Sequence, residues 1–340
     1  MKKKNKVTMT DIAQNAGVSQ ATVSLVLNQS KNIRLSDDTR RRVLDSAINL
    51  GYSKLPTHHY PDSKGHIALL INSLPVYDPF VCALQEAQEA AWSNDILLTI
   101  YDYIDDVELI KRIIYELNQS SCQGIIVASC ITRVFDFKPF SKALAPVVLL
   151  NNYDPAFPRL PVFLPDDRGN AYQVTQHLIE QGAQRIALIT GESWMEASIE
   201  RLGGYTDALN YVGRMIDPEL IISANWSIEQ AYTATLKLIN LKSPPDAIFC
   251  CSDWMVIGCY QALAQSGVNV PLDILVAGYD DFKISKQLTP KLSSIKLPYA
   301  ELGKMAVEYL CKKENTATQV RMAGKLKIRD STTINPSIRN

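Results

Sequence analysis

Polar side chains stand at the ends of six of the seven apolar segments that follow residue 66, and their types favour hydrogen bonding over covalent chemistry. These residues are Asn72 and Ser73, Ser129, Asn151, Thr190, Ser252 and Asp253, and Asp280 and Asp281. Hydroxyls, amides and carboxylates of this kind suit a neutral polyhydroxylated molecule. Because no His–Cys–Asp cluster and no basic phosphate cradle accompany them, we expect a ligand site and no enzymatic activity.

The apolar segments are predicted β-strands because they alternate with stretches of helical periodicity. Strands are expected at 67–72, 96–101, 124–129, 146–151, 185–190, 247–252 and 274–279, and helices at 80–92, 106–117, 171–181, 204–212, 228–241 and 255–265. Such alternation is typical of parallel sheets with right-handed crossovers. The number of units predicts two doubly wound subdomains, with a ligand bound beyond the carboxyl ends of the strands.

The first fifty residues instead predict three short helices. Thr8 and Asp11 have the spacing of a capping box, and Gly17 supplies the left-handed turn that ends a helix. Ser19 and Ser36 are expected to cap the second and third helices. Their apolar faces consist of Val23, Val26 and Leu27, and of Val43, Leu44, Ala47 and Ile48. Two helices joined by a glycine turn and braced by a third predict a helix-turn-helix.

The charge distribution indicates a polyanionic partner for this N-terminal segment. Residues 1–55 carry ten lysines and arginines against four aspartates, which gives +6, while the whole chain has a formal charge of zero. A basic segment on an otherwise acidic chain favours binding to nucleic acid.

Compartment and cofactors follow from what the sequence does not contain. The basic start has no apolar run behind it, and no segment approaches membrane-spanning length, so we expect a cytoplasmic protein without a membrane partner. The seven cysteines show no C-x-x-C spacing and favour reduced thiols over disulfides or a metal site. His58, His59 and His66 are expected to be solvated. We therefore expect no metal and no cofactor.

Taken together, several motifs resemble the lactose-repressor/galactose-repressor (LacI/GalR) family of bacterial transcription regulators. The matching segments are TMTDIAQNAGVSQATVSLVLN, RLSDDTRRRVLDSAINLGY, RLGGY, CSDWMVIGCYQAL, GVNVPLDILVAGYDD and LPYAELGKMAVEYL. The resemblance implies an all-α helix-turn-helix headpiece and an α/β core similar to periplasmic sugar-binding proteins.

The resemblance also implies domain boundaries. The headpiece is expected at 1–55, a linker or hinge at 56–66, and an effector-binding and dimerisation core at 67–338. Within the core, the N-subdomain takes 67–164 plus 296–322, and the C-subdomain takes 165–295 plus 323–338.

Positions that match the family's DNA contacts lie around the second helix. Ser19, Thr22 and Asn28 match phosphate contacts, and Gln20, Ala21 and Leu25 match base-reading positions. Thr8 and Ser24 complete the expected DNA-binding set.

Positions that match the family's effector contacts lie in the core. Arg201 and Asp280 match residues that hold sugar hydroxyls, and Trp226 matches an aromatic ring that stacks on the ligand. The other expected pocket positions are Asn72, Leu164 and Ser252, and more loosely Tyr77 and Asp78. Alternative interpretations are a core aromatic for Trp226, a turn cap for Asp280 and a surface ion pair for Arg201.

The predicted hinge departs from the family pattern. The family's hinge helix inserts a leucine into the minor groove, whereas SKLPTHHYPDSKGH contains Pro56 and Pro61 and lacks the Arg-x-Leu of that helix. A proline inside a helix costs about 3 kcal/mol. We expect no ordinary hinge helix here, with Leu55 or Tyr60 as candidate replacements for the wedge.

The sequence as a whole predicts a dimeric repressor that binds a pseudo-palindromic DNA operator and responds to a small effector. The scarcity of basic residues at the strand ends, apart from Arg201, favours a neutral sugar. The C-terminal TTINPSIRN lacks a leucine heptad, which favours a dimer over a tetramer. The alternatives are a free solute-binding protein, and an enzyme on the same scaffold, for which GESWMEAS lacks the second glycine of a nucleophile elbow.

Overall fold

The computed structural model describes residues 7–28, 35–52, 65–72, 74, 79–312 and 317–333. The chain divides into two compact units, residues 1–63 and residues 64–340. The predicted hinge, including Leu55, Pro56, Tyr60 and Pro61, lies outside the described residues.

Three helices form the first unit: α1 (Met9–Ala16), α2 (Gln20–Leu27) and α3 (Asp37–Leu50). The capping box is present, because the Thr8 N–H donates to Asp11 Oδ2 at 2.8 Å and the Asp11 N–H donates to Thr8 Oγ1 at 3.4 Å. Gly17 follows α1 with φ of 67°, in the left-handed region. The short turn therefore sets α2 directly after α1.

The apolar faces of these helices pack into one small core. Its buried members are Ile12, Ala13, Ala16, Val23, Val26, Leu27, Val43, Leu44 and Ala47. Ile48 was expected on the same face but is 62% exposed. One step along α3 from Ala47 turns the side chain by about 100°, and three short helices do not cover so wide an arc.

Twelve strands and seven helices build the described part of the second unit. The strands are β1 (His66–Ile71), β2 (Leu97–Asp102), β3 (Cys122–Val134), β4 (Val147–Tyr153), β5 (Val162–Pro165), β6 (Ile186–Thr190), β7 (Ile221–Ser223), β8 (Ala247–Cys250), β9 (Leu275–Asp280), β10 (Ser293–Lys296), β11 (Gln319–Met322) and β12 (Lys325–Lys327). The helices are α4 (Val81–Trp92), α5 (Val107–Asn118), α6 (Asp167–Glu180), α7 (Glu196–Tyr211), α8 (Ile228–Ile239), α9 (Asp253–Gln265) and α10 (Tyr299–Lys312).

The strands form two six-stranded sheets. The first has the order β11-β5-β4-β3-β1-β2, and the second has the order β12-β10-β9-β8-β6-β7. Neighbouring strands are parallel except for β12, which runs antiparallel to β10. Helices α4, α5 and α10 cover the first sheet, and α6 to α9 cover the second. We call the first sheet with its covering helices the first subdomain, and the second sheet with its helices the second subdomain.

Three passages of the described chain connect the subdomains. They lie between β5 and α6, between β10 and α10, and between β11 and β12. All strands except β12 end at the same edge of their sheet, so the connections and the strand-end loops lie around a cleft between the subdomains. The predicted α/β class with two parallel-sheet subdomains is confirmed.

Local differences from the prediction have simple causes. β1 begins at His66, which was expected in the linker, and pairs there with Leu97 and Cys122. Gly203 and Gly204 lie inside α7 and do not start it. A Cβ on Gly204 would lie 2.0 Å from the Arg168 carbonyl oxygen, so this glycine allows α6 and α7 to pack closely.

Among the described residues, no helix has the length and apolar character needed to span a membrane.

Candidate functional site

Arg201 is the central cation of the cleft between the subdomains. It lies in α7 and is only 3% exposed. Its Nε donates to Asp167 Oδ1 at 2.9 Å, and its Nη1 donates to the Cys251 carbonyl oxygen at 2.6 Å. Burial alone would lower the pKa of Arg201, but the negative charge of Asp167 raises it well above its usual value. The guanidinium is therefore charged and fixed in place.

The carboxylate that holds Arg201 is one that the sequence analysis did not single out. Asp280 was expected to hold sugar hydroxyls together with Arg201, and the ion pair of Arg201 is formed by Asp167, the first residue of α6. Asp167 Oδ1 also accepts from the Tyr279 hydroxyl at 2.8 Å, and Oδ2 accepts from Thr132 Oγ1 at 2.7 Å. A buried pair with such additional hydrogen bonds loses about 3–5 kcal/mol when one partner is removed.

Aromatic rings surround the Arg201 guanidinium. Its Cζ lies 3.8 Å from the Tyr279 ring centroid and 5.5 Å from that of Trp226. Trp254 and Phe282 pack together nearby, with ring centroids 5.6 Å apart. Cation–π contacts stabilise the arginine, and the indole faces offer apolar surface to a ligand.

A cavity of about 70 Å³ opens in front of this group, and we call it the inner cavity. Its walls include Arg201, Trp226, Ser252, Trp254 and Asp280. The remaining lining residues are Pro79, Cys130, Ile131, Phe282 and Tyr299. The inner cavity thus combines a buried cation, a carboxylate, a hydroxyl and aromatic faces, which is a hydrogen-bonding and stacking site.

The turn after β9 places Asp280 at the inner cavity. Asp280 and Asp281 have φ of 107° and 49°, conformations that side-chain-bearing residues rarely adopt. Asp281 is engaged elsewhere, since its Oδ1 accepts from Arg329 Nη2 at 2.5 Å and from Ser285 Oγ at 3.2 Å. Of the two carboxylates, only that of Asp280 lines the inner cavity.

Asp253 fixes this turn from behind. Its Oδ2 accepts from the Phe282 N–H at 2.8 Å, and its Oδ1 accepts from Ser294 Oγ at 2.8 Å. Burial raises the pKa of Asp253 to about 7. A Cβ on Gly278 would lie 2.2 Å from Asp253 Oδ1, so the carboxyl group packs directly on the β9 backbone.

The structure brings together four of the sequence-predicted effector residues: Arg201, Trp226, Ser252 and Asp280. Ser252 also caps α9, because its Oγ accepts from the Trp254 N–H at 3.2 Å. Tyr77 and Asp78 lie outside the described residues.

Two other predicted residues do not line the inner cavity. Asn72 is engaged at the end of β1, where its Nδ2 donates to Asp105 Oδ2 at 2.7 Å. Leu164 packs with Leu149 and with Ile114 of α5 in one buried apolar layer of the first subdomain. The side chains alternate along β5, and that of Leu164 points into this layer.

Sequence reasoning missed Asp167, Thr132, Trp254 and Phe282. The signal for Asp167 is its position directly after β5, but β5 has only four residues and was not predicted. Applied to β5, the rule that ligands bind beyond strand ends would have found it.

The second helix of the first unit carries the candidate DNA contacts. Ser19 Oγ accepts from the Thr22 N–H at 3.1 Å and therefore caps α2. Gln20 and Ala21 are exposed and Leu25 is half-buried, while Val23 and Val26 on the opposite face are buried.

Of the remaining candidates, Ser24 lies within α2, Asn28 follows it and Thr8 precedes α1. Ser24 Oγ accepts from Asn28 Nδ2 at 3.1 Å, and Thr8 belongs to the capping box of α1. None of the eight residues of α2 carries a charge. Among the described residues of this unit, the basic side chains are Arg40, Arg41 and Arg42 of α3, two of which pair with Asp38.

Two family models match the chain. Residues 8–54 match the model described as bacterial regulatory proteins, lacI family, and residues 175–332 match a periplasmic binding protein-like domain. The ribose operon repressor of Haemophilus influenzae is 30% identical over 308 residues, which cover 89% of this chain and 90% of that relative.

Solved structures are similar over nearly the whole chain. The transcriptional regulator CelR in complex with cellobiose is 25% identical with a TM-score of 0.69, covering 96% of this chain and 100% of that one. The lac repressor dimer bound to operator and the anti-inducer ONPF has a TM-score of 0.76 and 23% identity, covering 97% of this chain and 100% of that one. The latter likeness shows a shared fold.

Proposed function

The chain belongs to the lacI family of bacterial regulatory proteins and is therefore a DNA-binding transcription regulator. We propose that it is a repressor whose operator affinity is controlled by a sugar bound in the inner cavity. The family resemblance read from the motifs is confirmed by these comparisons. The observation that carries the effector site is the buried, charged Arg201 between two subdomains, beside Asp280 and Trp226.

The chemistry of this site fits a sugar. The Arg201 guanidinium donates charge-assisted hydrogen bonds to ring hydroxyls, and the Asp280 carboxylate accepts from them. The Trp226 indole covers the apolar C–H face of the ring. The structure of CelR with cellobiose and the name of the ribose operon repressor support a sugar as the class of effector.

The chemistry of α2 fits the major groove of an operator. Ser19, Thr22 and Asn28, with Thr8 and Ser24, have the hydroxyl and amide groups that contact phosphates. Gln20 has the two-sided amide that pairs with adenine, and Ala21 and Leu25 offer apolar contact to thymine methyl groups. The operator contacts proposed for this chain are therefore uncharged in α2.

We further propose a homodimer on a pseudo-palindromic operator, since two copies of one headpiece read two related half-sites. A protein that binds chromosomal DNA in this way works in the cytoplasm. The site needs no cofactor, because binding alone, and no covalent step, changes the operator affinity.

The test is operator binding by the full-length protein at several salt concentrations, with and without members of a sugar panel. Affinity should fall steeply with salt, because phosphate contacts release counterions. At least one sugar should change the operator affinity by about fivefold or more. An absence of saturable DNA binding at low salt would remove the proposal.

Asp280→Asn refines this test. It keeps the shape of the side chain and removes the charge that faces the inner cavity, so it should weaken the sugar response and leave sugar-free operator affinity unchanged. Asp207→Asn is the control, because Asp207 pairs with Arg168 on the outside of the same subdomain. If Asp280→Asn weakened the sugar response and the sugar-free operator affinity equally, Asp280 would have a folding role.

A further inference from the structure

A second and larger cavity adjoins the inner cavity. It has a volume of about 330 Å³ and shares three wall residues with the inner cavity: Pro79, Asp280 and Phe282. We call it the outer cavity. Cys82 at the start of α4 and Lys296 at the end of β10 lie in its wall, together with Lys283 from the segment after β9.

The sizes of the two cavities limit how a ligand can bind. Small-molecule pockets commonly have volumes of roughly 300–1,000 Å³. The inner cavity, at about 70 Å³, lies below that range, whereas the outer cavity reaches it. A ligand that touches Arg201 and Trp226 therefore extends into the outer cavity.

An arginine pairs with one of the two carboxylates of the outer cavity. Asp281 accepts from Arg329 at 2.5 Å, so its charge is paired on the far side of the wall. The negative charge of Asp280 acts on the buried Arg201, whose pKa it helps to raise. Because Arg201 is already paired with Asp167, the charge of Asp280 remains in the wall of the outer cavity.

The two lysines of the outer cavity are not paired in the way that Asp281 is. Among the described residues, neither Lys283 nor Lys296 forms an ion pair, and both are exposed. Lys296 lies close to the half-buried Cys82: burial raises the pKa of that thiol, and the positive charge of Lys296 opposes the shift. The outer cavity therefore presents two lysines whose charge no ion pair offsets, in a wall that also contains apolar residues such as Val81 and Leu297.

We propose that the effector is an anionic sugar, with its ring in the inner cavity and its phosphate or carboxylate group in the outer cavity against Lys283 and Lys296. This inference rests on the proposed function and narrows the class of effector. It replaces the expectation of a neutral sugar. That expectation came from the strand ends visible in the sequence, and β10, which ends at Lys296, was not among them.

The experiment compares matched sugars on the full-length protein. Binding is followed by tryptophan fluorescence, since Trp226 and Trp254 line the inner cavity, and by calorimetry. The probes are glucose, glucose 6-phosphate and glucuronate, then ribose and ribose 5-phosphate, then fructose and its 1- and 6-phosphates. At least one anionic member should bind about tenfold tighter than its neutral parent, as expected for hydrogen bonds to a charged group. The preferred anion distinguishes phosphate from carboxylate.

Substitution of the lysines tests the position of the anion. The Lys283→Gln/Lys296→Gln double variant should lose about tenfold in affinity for the anionic sugar and retain its affinity for the neutral parent. Lys286→Gln is the matched control. Lys286 is exposed and lies with Lys283 in the 3-10 helix Lys283–Lys286, but it does not line the outer cavity. Raising the salt concentration should narrow the preference for the anion.

The contrary outcomes separate this inference from the proposed function. If neutral parents bind as tightly as the anions, or if the double variant weakens both equally or neither, the anionic class is wrong and a sugar-responsive repressor remains. If no sugar of the panel binds or alters operator affinity, both the sugar-responsive function and this inference fail.

Discussion

At the scale of the residue, the base-reading face proposed for α2 is uncharged, and two of its three residues are apolar. Gln20 and Ala21 are exposed and Leu25 is half-buried, so all three are accessible on the side away from the core of the unit. In the major groove thymine presents a methyl group, whereas guanine presents two acceptors that suit arginine. An operator with A·T at the base pair that faces Leu25 is therefore expected.

Leu25→Arg should change that preference. An arginine at this position can donate to guanine O6 and N7, and the preference should move towards G·C by roughly 1–3 kcal/mol. Binding-site selection from a randomised half-site measures the change, with Leu25→Met as the apolar control. An unaltered selection profile for Leu25→Arg would show that Leu25 does not face a base.

At the scale of the element, one turn depends on one buried carboxyl group. Asp253 of α9 accepts from the Phe282 N–H and so holds the turn after β9, which carries Asp280 into the inner cavity. The pKa of Asp253 is raised to about 7 because the group is buried and Asp281 lies nearby. A raised pKa in the folded state stabilises the protein at low pH, and this contribution is lost as the pH rises from about 4 to about 7.

Asp253→Asn should remove this dependence, because the amide imitates the neutral acid and can donate to Ser294 Oγ. Relative to the parent protein, the variant should gain roughly 2–4 kcal/mol between pH 4 and pH 8. Urea unfolding at several pH values gives the comparison, and Asp207→Asn, which removes an exposed carboxylate, should show no such gain. A variant that loses stability equally at both pH values would mean that the carboxyl group is ionised throughout.

The lengths of the strands explain which elements the sequence could and could not predict. All seven predicted strand segments form strands, because runs of about six mostly apolar residues that alternate with helical periodicity are a strong signal. The other five described strands have three or four residues each, too few for a periodicity to show. Two of these, β5 and β10, lead to Asp167 and Lys296, so the partner of Arg201 and the charge of the outer cavity were missed together.

At the scale of the whole molecule, polar bonds between described residues join the two subdomains, and Asp167 belongs to one of them. Thr132 of β3 in the first subdomain donates to Asp167 Oδ2, while Oδ1 accepts from Arg201 in the second. Tyr153 of β4 donates to Glu196 Oε1 of α7 at 2.6 Å. A ligand that changes the position of Arg201 therefore acts on a bond between the subdomains.

Thr132→Val should weaken the link between sugar and DNA. The side chain has nearly the same shape but no donor, so sugar affinity should change little, while the effect of sugar on operator affinity should fall about fivefold or more. Thr175→Val is the matched control, since Thr175 is equally buried and its hydroxyl donates to Ala171 within α6. A full sugar response in Thr132→Val would mean that the link runs through other contacts.

The three passages between the sheets have a consequence for the synthesis of the protein. During synthesis the first subdomain lacks α10 and its edge strand β11 until residue 322 has been added, and the second lacks β12 until residue 327 has been added. The three helices of the first unit, by contrast, are complete within the first 52 residues. Because domains fold as units while the chain is being made, the headpiece is expected to fold long before either subdomain. A chain truncated before β11 is therefore expected to keep a folded headpiece while both subdomains remain incomplete.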